Sequence, residues 1–248
     1  MLTAAGIDDT LTELPPLSDV ESAYGVQINA VSLNDLFALY KRTGFMYPAK
    51  AVRLMPYMDR VRDNWKRVLE AREPLLYVLT AGHARDGQAS VAVWRTTHNG
   101  WTWQHLVCEG NPLASRAVML GGLARCMRRG VEESQQNWFR PENRFPSRVF
   151  GSLVHGVGDS LSSTQRHVYF AWSRQAHCQV ESPVQNVPYD HSHHQALCAL
   201  AAVARGSVYI KAEELDRDVQ LEAVDCLYRS VGLRRSRRVW VAYRPGPD

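Results

Sequence analysis

The stretch GSVYIKAEELDRDVQLEAVDCLYRSVGLRRSRRVWVAYR, Gly206 to Arg244, decides how the fold is read. Ser207 to Lys211 is rich in β-branched and aromatic residues and predicts a short strand. Asp216 can cap a helix running to Val231, in which Val219, Ala223, Val224, Leu227 and Val231 recur at helical spacing. Gly232 can then close that helix in a left-handed conformation. From Arg237 to Arg244, Val239, Val241 and Tyr243 alternate with Arg238, Trp240 and Ala242, which predicts a second strand.

This block has an earlier echo. RHVYFAWSR (166–174) and RRVWVAYR (237–244) share the order Arg, apolar-aromatic alternation, Ala, aromatic, Arg. FPSRVFGSLV (145–154) parallels CLYRSVGL, and QNWFR (136–140) parallels SVYIK. Each copy follows a helix-like segment. The chain therefore reads as a helix, strand, helix, strand unit used twice. The expected division is a flexible leader over 1–28, a first unit over 29–160 and a shorter second unit over 161–248.

Upstream, Ser32 caps a helix to Arg42 with Leu33, Leu36, Phe37, Leu39 and Tyr40 on one side. Thr43 to Pro48 (TGFMYP) breaks the pattern, and its apolar residues read either as a lid over the core or as a substrate-facing loop. A longer helix is expected over Ala51 to Ala71, regular beyond Pro56. Leu75 to Ala81, Ala89 to Thr96 and Trp101 to Cys108 predict a three-stranded meander, separated by GHARDGQ and THNG. Leu113 to Arg129 predicts a helix closed by Gly130, with Gly121 and Gly122 permitting close packing inside it. Residues 151–165 read as a Gly/Ser-rich loop, and Ser192 to Arg205 as a further helix.

Taken with LYRSVGL (227–233), this order resembles the GNAT (GCN5-related N-acetyltransferase) superfamily in a divergent, tandem form. The resemblance spans roughly residues 30 to 244. It implies an α/β fold with a mixed, mostly antiparallel sheet flanked by helices, and transfer of an acyl group from acetyl-CoA or another acyl-CoA to a small-molecule or protein amine. It makes Tyr228 the acid that protonates the departing thiolate, and Glu109 a base for the attacking amine. It places the CoA pyrophosphate on backbone N–H groups at the helix start near Gly110, Asn111 and Arg116, with Asn143 following the next strand. The sequence departs from the pattern there. EGNPLASRAVMLGGLA has the wrong glycine spacing, Pro112 removes a donor, and Phe150 replaces the first unit's tyrosine. A non-catalytic GNAT-like module binding a ligand, protein or nucleic acid is the alternative.

Composition narrows the remaining classes. The chain has 248 residues, 45% of them hydrophobic and 22% charged, with a net charge of +4. That charge alone does not define a nucleic-acid surface, although Arg234, Arg235, Arg237 and Arg238 form a cluster that suits phosphate or a charged edge strand. The five cysteines include no CxxC pair, which suggests a reduced, cytoplasmic setting. No apolar run is long enough for a membrane span, and no membrane partner is expected. Asp190, His191, His193 and His194 cluster without a standard ligand spacing, so no metal is expected.

Overall fold

The computed structural model describes residues 25–83, 87–127, 133–140, 142–165, 190–216 and 221–233. The expected leader up to residue 24, the echo at 166–174, the final strand and its arginine cluster lie outside them.

Five strands form one sheet in the order β1 to β5: Gln27–Ile28, Leu76–His83, Gly87–Arg95, Gly100–Gly110 and Ser134–Asn137. The first four pair antiparallel and β5 lies parallel to β4. The meander thus stands where the strand-like runs and the turns between them put it. Both faces are covered, which explains why β2 reads as an almost unbroken apolar run. Tyr77, Leu79, Val91, Val93, Trp101 and Trp103 pack under α4 (Pro112–Met127). Val78 and Ala92 face the opposite way, onto α1 (Leu33–Arg42) and α3 (Met58–Leu69), where Leu36, Tyr40, Trp65 and Val68 meet them.

Local chemistry sets the helix ends. Ser32 Oγ accepts the Asp35 N–H and starts α1. The helix expected over 51–71 is divided. Its first part, α2, begins at Pro48 and ends at Leu54, a 3-10 turn spans Met55–Tyr57 around Pro56, and α3 follows. Proline supplies no N–H for a continuous ladder, so the break falls at Pro56. In α4, a Cβ on Gly122 would lie 2.4 Å from the Trp103 ring, so these glycines do allow close helix–sheet packing.

Two expectations need correction. Residues 151–157 are not loop but the second half of α5 (Arg144–Val157). Phe150, Val154 and Val157 recur at helical spacing, and that amphipathic pattern outweighs the glycine and serine content. Ser207–Lys211 is likewise not a strand. It belongs to the short helix α7 (Ser207–Ala212), which follows α6 (His194–Arg205) after Gly206. The β-propensity of Val208, Tyr209 and Ile210 yields to tertiary bonding at the helix end. There the Thr97 and Ser134 hydroxyls donate to the Ala212 carbonyl, and Glu214 accepts the His98 and Asn99 N–H groups at 2.8 and 2.7 Å.

The last described helix, α8 (Leu221–Ser230), ends as the sequence predicts. Gly232 has φ +74°, Leu233 N–H reaches the Tyr228 carbonyl, and Gly232 N–H reaches that of Arg229. Leu227, Tyr228 and Val231 pack into the α1–α3 side of the core. Among the described residues of 161–248 there is no strand, and a second sheet-bearing unit is not seen there.

Candidate functional site

The helix start after β4 is built from Gly110, Asn111 and Pro112. Gly110 has φ +74° and turns the chain out of the strand. Opposite it, Gly87 carries no side chain, and a Cβ there would lie 2.1 Å from the Asn111 nitrogen, so the junction depends on that glycine. Asn111 Oδ1 accepts the Leu113 N–H at 2.9 Å, and the Asn111 carbonyl accepts that of Ala114 at 3.1 Å. Pro112 has no N–H to offer. The first three positions of α4 therefore present no free donor to an incoming anion. Arg116 is exposed one turn further on.

Glu109 forms an ion pair with Arg42 at 3.0 Å, near the C-terminus of α1. Tyr228 lies elsewhere. Its hydroxyl donates to the Arg95 carbonyl at 2.8 Å, at the far end of β3. Glu109 pairs across the sheet with Gln88, seven residues earlier in that strand. At the usual strand rise the separation is about 23 Å, so Tyr228 and Glu109 are not brought into one site. Asn143 stands exposed at the N-cap of α5 and makes no capping bond with its side chain. Phe150 packs near Trp103 and Phe139.

The histidine cluster resolves into local bonds. The Asp190 carboxylate accepts from both the backbone and the hydroxyl of Ser192, which hold its pKa below the ordinary value. His194 Nε2 lies 3.5 Å from Cys198 Sγ. Among the described residues, no group of three potential ligands converges on a metal position.

A different cluster emerges where β4 is irregular. Ser90 pairs with Val107 and Ala92 with Gln104, so Val91 stands opposite two residues, His105 and Leu106. His105 takes φ +57°, a conformation rare for residues other than glycine. The extra residue inverts the side-chain alternation. Before it Trp101 and Trp103 face α4; after it Leu106 takes that side and Val107 turns to α1 and α3. His105 is thereby carried under the TGFMYP loop, against Phe45, Tyr40 and Trp65 at ring distances of 4.8, 5.6 and 5.6 Å. Phe45 and Met46 pack on this cluster, which places the loop as a lid over the core.

Three buried polar atoms meet beneath that lid. Tyr40 Oη faces Ser90 Oγ without completing a hydrogen bond of good geometry, and His105 Nδ1 also has no partner among the described residues. Burial pushes the Tyr40 phenol upward, opposed by its contact with Ser90. Burial, helped by the Lys50 charge, pushes His105 down to about 4. Lys50 Nζ stands 3.5 Å from the Phe45 ring centre, and its own pKa is lowered by desolvation. At neutral pH the cluster is thus a phenol, a hydroxyl and an uncharged imidazole. Buried polar atoms left without a partner are costly, which makes this the most polar point of that side of the core. Sequence reading overlooked these residues because each sits in an ordinary core pattern. The one local signal was the parity break between Trp103 and Leu106.

No protein-family model matches the chain, and comparison with curated proteins and with solved structures found no match.

Proposed function

We propose that the chain is a GNAT-like binding module, with its ligand site at the lidded Tyr40–Ser90–His105 cluster, and that it does not use acyl-CoA. Support for the GNAT-like part is the order of a helical segment (α1 to α3), antiparallel meander, helix, strand and helix. The observation that carries the non-catalytic part is the start of α4, where Asn111 and Pro112 leave no free N–H for a pyrophosphate. Millimolar CoA and acetyl-CoA are expected to leave the melting temperature unchanged. A saturable rise with either ligand overturns this reading, since a ligand that binds the folded state must stabilise it.

Acyl transfer from an acyl-CoA to a small-molecule or protein amine is the second reading, and one observation favours it. Pairing of β4 with β5 stops at Trp103 and Asn137. Among the described residues, the β4 edge from Gln104 to Gly110 is then open, and alternate N–H and C=O groups of that edge point away from β3. In this reading Glu109 receives the amine proton beside Gly110, Asn111 and Arg116, and Tyr228 is too distant to act as the acid. The same CoA titration separates the two readings.

A further inference from the structure

The solvent face of α2 and its 3-10 extension is apolar. Pro48, Ala49, Val52, Met55, Pro56 and Tyr57 are exposed there, and Arg53 is the one charged residue among the exposed positions from 48 to 57. Val52 is 74% and Met55 70% exposed, one helical turn apart on the same side. Leu54 and Lys50 take the half-buried side instead. A surface helix ordinarily shows the reverse arrangement. The surroundings are strongly basic. Residues 41–62 hold six Lys or Arg (Lys41, Arg42, Lys50, Arg53, Arg60, Arg62) against the single Asp59. This segment alone carries +5, more than the +4 of the whole chain.

We propose that this face docks on an anionic lipid surface. Val52 and Met55 enter the boundary between head groups and acyl chains, Tyr57 lies at head-group level, and Lys41, Arg53, Arg60 and Arg62 meet lipid phosphates and carboxylates. The charge selects an anionic partner. The protruding aliphatic pair selects lipid over nucleic acid, because a phosphate backbone gives Val52 and Met55 nothing apolar to bury against. Protrusion also suits a deformable interface, where no complementary groove is required. The inference rests on exposure and charge, and it stands whether or not the Tyr40–Ser90–His105 cluster takes a ligand.

The test is co-sedimentation of the full chain with vesicles of phosphatidylcholine alone and with vesicles that also contain phosphatidylserine. Binding to the anionic vesicles is expected to be at least about tenfold stronger, and to weaken as salt is added. The Val52→Asn, Met55→Asn double variant should lose most of that binding while melting close to the wild type, since both side chains are in solvent. Equal binding to the two vesicle types, or full binding by the variant, overturns the proposal. So does salt-sensitive retention on duplex nucleic acid without vesicle binding. A dimer in light scattering that the double variant abolishes, again without vesicle binding, assigns the face to a second copy of the chain and equally overturns it.

Discussion

His105 and Tyr228 each take their surroundings from partners distant in sequence. His105 titrates at about 4 in the folded state, below the ordinary 6.5. The unfolded chain therefore takes up this proton more readily than the folded one. The resulting stability is complete above pH 6.5 and is lost as pH falls from 6.5 towards 4, by about 3 kcal/mol over that window. His105→Asn keeps a residue that tolerates positive φ but removes the titration. Urea unfolding of both proteins across this range should show a shallower pH dependence in the variant, and matching slopes would disprove the assignment. Tyr228, to which the resemblance gives an acid's role, donates its hydroxyl to the Arg95 carbonyl at the end of β3. Tyr228→Phe leaves the Arg95 carbonyl without that donor and should cost about 1 kcal/mol in urea unfolding. A variant as stable as the wild type would show the bond to be inconsequential.

At the scale of elements, the strands were legible because β2, β3 and β4 are rich in β-branched and aromatic residues and bounded by turn residues, and the capped helix α1 because Ser32 and its apolar stripe agree. What periodicity did not disclose was the β4 bulge, since a single inserted residue resembles an imperfect alternation. Glycine-rich helices were also ambiguous, and the structure separates two kinds. Gly122→Ala in α4 would drive a Cβ into the Trp103 ring and should cost about 1–3 kcal/mol. Gly151→Ala in α5 meets nothing within 4 Å and should stabilise by about 0.5–1 kcal/mol. Thermal melts of the pair test the distinction, and effects of the same sign would refute it.

For the molecule as a whole, the decisive contacts join segments 77 to 116 residues apart. Glu214 is buried and holds the β3–β4 turn through two backbone N–H groups, while Gln136 donates to Glu213. Glu214→Gln retains the shape but places a donor against one of those N–H groups. It should lower stability by about 2 kcal/mol and speed hydrogen exchange at His98 and Asn99; unchanged exchange would show that the clamp is not needed. These contacts explain why the Ser207–Lys211 stretch was misread. Its side chains favour a strand by a fraction of a kcal/mol, and the bonds made at Ala212 and Glu214 reverse that preference. The membrane-facing proposal has the same origin. The apolar residues of α2 are far too few for a span, and only their arrangement in space puts Val52 and Met55 on the outside. By itself, then, the sequence determined the meander, the capped helix α1 and the missing N–H donor at Pro112, because strand-forming runs, caps and proline act within a few residues. The tertiary structure alone decided the bond from Tyr228 to Arg95, the gathering of Tyr40, Ser90 and His105, and the outward apolar face, because each depends on partners that only folding brings together.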